Sequence, residues 1–467
     1  MAKPLYLAAI VMGAGAAIGM AFTSPPVVAD EPNRAALTFE NPTGRITTLS
    51  VNGEVIDRTN PFFEDLGTNG RSCSTCHRPE DGMTVSPTHL QERFAATAGT
   101  DPIFRPNDGS NCEGADPHTV DERRDAYSLL LSKGLIRIGI DLPDNAEFFL
   151  ESVDDPYQCG ASLSTVSMYR RPLPATNLRF LSAVMWDGRE SSPTTTILQD
   201  LAHQANAATK GHALAALDLT AEQAQQIVEF ETALFTAQSH DNQAGNLHAR
   251  RADGGPAPLS RQPFFIGIND PVRLNPTGVP FEPRAFTLFD TWVSHGASEH
   301  GIAGARGAVA RGQELFNTRA ITLSGIAGLN NETFSSGVTL PVSFTGTCTT
   351  CHDTPNAGNH SVKAPLNIGL TDESRRTPDL PLYTFRRISD GTTVKTTDPG
   401  RAMITGKWAD IGKFKGPILR GLAARAPYFH NGMAAALQDV VEFYDTRFQL
   451  GLTDRDKADL VAFLQSL

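Results

Sequence analysis

Six cysteines are few for 467 residues, which excludes a small disulfide-built scaffold and makes the position of each one informative. No cluster of lysine and arginine stands out among the 40 basic side chains, so the footprint of a nucleic-acid-binding protein is missing. Acidic residues outnumber basic ones, giving a net charge of −11 spread along the chain; that balance favours basic partner proteins. Beyond residue 29 no segment is long and apolar enough to cross a bilayer. Strand signals are also sparse, whereas helical periodicity is common.

The apolar run that does occur lies at the start. Lys3 precedes the stretch Leu5 to Phe22, and Val27-Val28-Ala29 supplies small residues before Asp30 and Glu31. The pattern predicts a signal peptide over residues 1–29. An uncleaved anchor is the alternative, because eighteen apolar residues can just span a membrane. The small-residue composition and the cleavage-like ending favour removal, and therefore an exported periplasmic protein with no membrane attachment afterwards.

Four cysteines fall in Cys73-Ser74-Thr75-Cys76-His77 and Cys348-Thr349-Thr350-Cys351-His352. A c-type haem needs two thiols to add across its vinyl groups and an imidazole directly after them to reach the iron. From this composition such a motif should arise about 0.002 times by chance, and the chain has two. Zinc would call for a second ligand pair nearby, and neither motif has one. A redox dithiol would call for a strand leading into the motif, whereas Gly67-Thr68-Asn69-Gly70-Arg71 and Ser343-Phe344-Thr345-Gly346 read as turns. The expectation is two covalently bound haem c groups on Cys73, Cys76, Cys348 and Cys351, with His77 and His352 as proximal ligands. In an oxidising compartment the remaining Cys112 and Cys159 should pair, the alternative being two buried free thiols.

Thr220-Ala221-Glu222-Gln223 opens an amphipathic run to about Ala237, Ala305 to Phe316 reads as a second helix, and Asp454 to Leu467 as a last one. Between such elements lie stretches rich in Gly, Pro, Asn and Asp, notably Asn107 to Asp116, His240 to Pro263 and Thr392 to Thr405. The expected fold is mainly α: two cytochrome c-like haem domains with long irregular loops and insertions, the N-terminal one over 30–304 and the C-terminal one over 305–467.

Three further segments carry a resemblance. Met185-Trp186-Asp187-Gly188-Arg189, Phe414-Lys415-Gly416-Pro417-Ile418-Leu419-Arg420 and Ala426-Pro427-Tyr428-Phe429-His430-Asn431-Gly432, with both haem motifs in order, resemble the bacterial diheme cytochrome c peroxidase family, which includes the methylamine-utilisation enzyme MauG. The stretch from His77 to Trp186 is much longer than in compact members. The resemblance implies that the haem on His77 reacts with peroxide while the haem on His352 passes electrons to it. Trp186 would then lie between the haems as an electron relay, the alternative being an interface-filling aromatic. His430 would orient propionates or the domain interface.

Where family members place a methionine as second ligand of the C-terminal haem, fourteen residues after the histidine of the Pro-Tyr-Phe-His segment, this chain has Tyr444. MauG-like members carry a tyrosine there. Leu437, Val440, Val441 and Tyr444 share one helix face. A thioether raises the potential and favours ferrous iron, whereas an anionic phenolate favours ferric iron. Met433 and Met403 are the alternative ligands. On the peroxide side the family's carboxylate is missing after the Trp-Asp-Gly-Arg segment. His212 is the candidate proton shuttle and Gln204 the candidate for positioning a water, with a capping or surface role as the alternative for His212. His89 and His118 are candidates for a removable sixth ligand.

The family also holds calcium between its domains partly through main-chain oxygens. Here those would be the carbonyls of Arg425 and Pro427, while Arg170-Arg171 stands near the place of the family's asparagine ligand. Three functions follow: reduction of hydrogen peroxide with electrons from a small cytochrome or other redox protein, MauG-like oxidation of a partner protein's side chains, or plain electron transfer by two fully ligated haems.

Overall fold

The computed structural model describes residues 35–160, 162–293 and 300–467; the expected signal peptide lies outside them. Buried residues alternate with half-buried ones along β2 (Gly44–Ser50), which pairs antiparallel with β1 (Ala36–Asn41) across a two-residue turn. Ile46 and Thr48 point inward, and the Thr48 hydroxyl meets that of Thr236 at 2.8 Å in a buried contact. The remaining strands are β3 (Ile136–Asp141), β4 (Phe148–Asp154), β5 (Thr165–Arg170), β6 (Leu234–Asp241), β7 (Gly245–Asn246), β8 (Ile321–Ser324), β9 (Ser343–Gly346), β10 (Leu382–Arg387) and β11 (Thr393–Thr396). They form four antiparallel sheets, ordered β1-β2-β6-β7, β11-β10-β4, β3-β5 and β8-β9.

This overturns the expectation of a mainly α protein. Among the described residues ten α-helices stand beside eleven strands, a mixed architecture. The strands are short, and their partners are distant in sequence: β2 pairs with β6, and β4 with β10. Local periodicity carries no trace of such pairings. In β6 the first five residues are all buried, so the strand lacks the alternation that would separate it from a buried helix end. The β4–β10 sheet joins segments from both sides of residue 305, and Phe148, Leu150, Val166 and Met168 pack there with Tyr383, Phe385, Ala402 and Met403.

The helices are α1 (Pro87–Thr97), α2 (Val120–Ala126), α3 (Ser128–Lys133), α4 (Ile197–Gly211), α5 (Ala221–Ala233), α6 (Pro256–Leu259), α7 (Gly301–Thr318), α8 (Ala402–Thr405), α9 (Leu437–Phe448) and α10 (Asp454–Gln465). Helix α5 starts as its sequence requires, with Thr220 and Gln223 satisfying each other's backbone N–H groups in a capping box. It stops at Ala233 rather than Ala237, because Leu234 turns extended to pair with Ser50 of β2. Ser343–Gly346, expected as a turn, is strand β9, and the loops His240–Pro263 and Thr392–Thr405 contain β7, α6, β11 and α8. Cys112 and Cys159 form the expected disulfide.

Helices α7 and α10 cross closely at Gly312, where a Cβ would stand 1.9 Å from the Asp459 carbonyl oxygen. Arg311 pairs with the Asp459 carboxylate at 2.7 Å. Phe316 and Phe463 meet in the seam, and Phe316 lies 5.8 Å from the His352 ring. The helix pair therefore forms a wall behind the second Cys-x-x-Cys-His motif.

Candidate haem cavity

Each motif folds into a single tight turn. Ser72 and Thr75 cap the first, and His77 N–H donates to the Cys73 carbonyl at 3.0 Å; Thr347 and Thr350 cap the second, with His352 N–H donating to the Cys348 carbonyl at 3.1 Å. The turns bring all four cysteines and both histidines onto one continuous cavity of about 420 Å³. Leucine, isoleucine, valine and phenylalanine from both halves of the chain make up much of its wall.

The imidazoles are preset for an iron. His77 Nδ1 lies 3.0 Å from the Met83 carbonyl and His352 Nδ1 2.6 Å from that of Gly358, so each ring has Nδ1 engaged and presents Nε2 as the ligating atom. Burial lowers both their pKa values, which keeps the rings neutral. The thiols behave in the opposite sense to a redox pair. Burial pushes Cys348 and Cys351 up to about 12 and raises Cys73 and Cys76 as well, whereas a reactive dithiol or zinc site needs thiolate. Strand β9 leads into the second motif, so a preceding strand does not by itself mark a redox dithiol here. No group of three or more His, Cys, Asp or Glu side chains able to hold a bare metal ion occurs among the described residues. Protonated thiols, engaged Nδ1 atoms and a largely apolar cavity fit a porphyrin that brings its own iron.

Trp186 lines the same cavity. Its indole N–H donates to the Arg171 carbonyl at 2.8 Å, and its own carbonyl accepts from Lys415 N–H at 2.9 Å. The adjacent Asp187 is fully buried against Arg170, which also grips Asp398. Burial opposes ionisation of Asp187, but Arg170 and Arg189 hold its carboxyl at about 2. His430 stacks on Phe414 at 4.1 Å and sits 6.1 Å from the Trp186 ring. Neither of its ring nitrogens makes a hydrogen bond, although His430 is only 1% exposed and borders the cavity. Burial pushes it down to about 4.

Gln204 and His212 lie eight residues apart, Gln204 within α4 and His212 at its C-terminal cap, and both line the cavity. His212 is more than a cap. Its Nδ1 meets Asp108 at 2.5 Å, and Arg71 holds the other oxygen of that carboxylate, also at 2.5 Å. His89 binds Asp81 at 2.6 Å and His118 is exposed near Asp116; neither lines the cavity, so the structure brings neither to the first motif. Tyr444 does line it, together with Leu437, Val440, Val441 and Phe448 of α9. Its hydroxyl lies within electrostatic reach of Cys351 and Cys348, and burial raises its pKa. Met433 is not a lining residue, and Met403 is packed in the β4–β10 core.

Sequence reasoning missed three groups here. Asp108 is the partner of His212. Glu231, at the end of α5, is 6% exposed with one carboxylate oxygen unpartnered; it lines the cavity beside Cys73, and burial pushes it up to about 8. Lys415 is buried, donates to the Ala183 carbonyl at 2.9 Å and is pushed down to about 7 by burial. The available signal for Glu231 was its place three and four residues after Val228 and Ile227, on their apolar helix face.

A cavity built on two Cys-x-x-Cys-His turns defines a c-type haem protein. Among proteins of known function the chain is similar to cytochrome-c peroxidases: IdrP2 of Denitromonas iodatirespirans, 34% identical over 26% of this chain and 36% of that one, and cytochrome c551 peroxidase of Pseudomonas aeruginosa, 31% identical over 26% and 30%. The chain thus spans about a third of the length of these relatives. No family model matches it. A solved MauG-like protein associated with microbial copper homeostasis aligns over 92% of this chain and 93% of its own, at 16% identity and a TM-score of 0.36. The sequence matches thus make about a quarter of this chain similar to bacterial cytochrome-c peroxidases.

Proposed function

We propose that the protein carries two covalent haem c groups and acts as a periplasmic peroxidase-type oxidoreductase, reducing hydrogen peroxide to two waters with two electrons and two protons. The observation that carries this reading is the single cavity shared by both motifs. Bound there, the haems supply the redox chemistry. The chain's own residues would move the protons and set the electron path.

His212 Nε2 is the base for the proton on the near peroxide oxygen and returns it to the far one. Asp108 holds the ring in the tautomer that leaves Nε2 able to accept, and stabilises the imidazolium once formed. Gln204, on the same helix, orients peroxide or a water toward that atom. Trp186, on the cavity wall, is the side chain through which an electron would pass between the haems, its indole fixed by the Arg171 carbonyl. The ring nitrogens of His430, neither of them hydrogen-bonded, and the buried side chain of Lys415 would be polar partners for haem carboxylates.

The place of Tyr444 on the cavity wall, with Met433 and Met403 off it, favours a second ligand of MauG type. A phenolate ligand suits sharing of oxidising equivalents with a partner protein's side chains, and such oxidative modification is the second reading. No helix among the described residues is long and apolar enough to cross a membrane. Adding stoichiometric peroxide to the diferric holoprotein tests the proposal: a fast spectral change at a high-spin haem supports it. Two low-spin haems unmoved by peroxide would mean an electron carrier.

A further inference from the structure

The calcium that the family resemblance suggests does not fit this chain. The Arg425 carbonyl accepts a hydrogen bond from the guanidinium of Arg171 at 3.3 Å. That guanidinium also donates to the Lys133 carbonyl at 2.5 Å and the Val85 carbonyl at 2.9 Å. Three main-chain oxygens from three separate segments thus converge on one side-chain cation, and Arg171 is only 5% exposed. The Arg425 guanidinium lies in electrostatic reach of Arg171 and donates to the carbonyls of Gly82 at 3.0 Å and Arg420 at 2.7 Å. The carboxylate within reach, Asp81, is bound to His89. Calcium wants about six to eight oxygen ligands, several of them anionic; here it would meet two buried guanidinium groups.

We propose that Arg171 is a tethered cation that does structurally what a bound calcium ion would do, clamping the 425–430 segment against the first-motif half of the chain, so that the protein works without calcium. The clamp reaches the cavity through the backbone of the same residue. Arg171 N–H donates to the His430 carbonyl at 2.6 Å, and the Arg171 carbonyl accepts from the Trp186 indole at 2.8 Å. Fixing the guanidinium therefore fixes both aromatic side chains, and Arg171 is a positioning residue for them. A guanidinium suits this task because its five N–H donors spread in a plane toward several carbonyls at once. The cation clamp stands by itself; its consequence for electron passage rests on the proposed function.

The test uses the full holoprotein purified in calcium and then passed through EGTA. Expected are substoichiometric calcium by elemental analysis and the same Tm in calcium and in EGTA. One calcium per chain, with a Tm that falls on chelation, would overturn the clamp. This arm stands even if peroxide proves not to be the substrate. Arg171→Ala should, at unchanged haem content, slow the peroxide response several-fold at the second haem, and Arg171→Lys, which keeps the cation but not the planar fork, should recover part of the loss. An alanine variant with full haem content and the wild-type rate would remove the positioning role. If alanine prevents folding, the lysine variant and the chelation arm still decide.

Discussion

The proton-transfer role proposed for His212 depends on Asp108 holding its Nδ1, and that bond joins residues 104 positions apart. Replacing His212 by Asn should slow peroxide turnover by about a hundredfold or more, since general acid–base groups contribute on that scale; a steady-state rate near wild type would remove the assignment. Tyr444→Phe keeps the ring's packing on the cavity wall and deletes only the oxygen. The spectrum of the low-spin haem should change, and an unchanged spectrum would return the ligand question to Met433. Glu231 offers a check that needs no turnover. Its ordinary value is 4.5 and burial pushes it up to about 8, so the folded state holds the proton over a pH range where the unfolded chain has lost it. Below about pH 4.5 both states are neutral and burial costs no ionisation energy. Between there and pH 8 the folded state loses about 1.4 kcal/mol per pH unit relative to the unfolded one, and above that range the loss is constant. Glu231→Gln should therefore match wild type in thermal melts at pH 4 and exceed it increasingly toward pH 8. A gap independent of pH would mean that the carboxyl is not buried as described.

At the scale of elements, the α7–α10 pair supports the His352 side of the cavity through one close crossing. Gly312→Ala would place a methyl group against the Asp459 carbonyl and the Phe463 side chain. A cost of about 1–3 kcal/mol is expected, read by denaturant unfolding. Gly307, on the same helix, has only the flexible end of Arg311 near its would-be Cβ. Its replacement by Ala should stabilise the protein by about 0.5–1 kcal/mol through helix propensity. Equal effects at the two positions would contradict the crossing. These helices were legible in sequence because capping and apolar spacing are local: Thr453 caps α10 and Leu460, Phe463 and Leu464 face inward. The strands were not. Leu234 carries the same apolar character as the helix before it, and only its hydrogen bonds to β2 decide that it is extended.

For the whole molecule, the shared cavity links folding to cofactor attachment. The walls of a largely apolar space of about 420 Å³ would pack on the groups attached to the four motif cysteines. A chain with all four motif cysteines changed to Ala should therefore lack fixed tertiary structure, judged by loss of near-ultraviolet circular dichroism. A native-like spectrum would count against a cavity shaped for two porphyrins. The sequence alone determined the attachment chemistry, because thiol, thiol and imidazole act through a five-residue turn. It also singled out Trp186, Tyr444, Gln204 and His212 as residues to seek at one site, and the cysteine pair outside the motifs. Tertiary structure alone decided that these residues line one cavity, that Asp108 serves His212, and that a guanidinium stands among the carbonyls of Val85, Lys133 and Arg425. Those facts depend on contacts between segments tens to hundreds of residues apart, which no local pattern of side chains encodes.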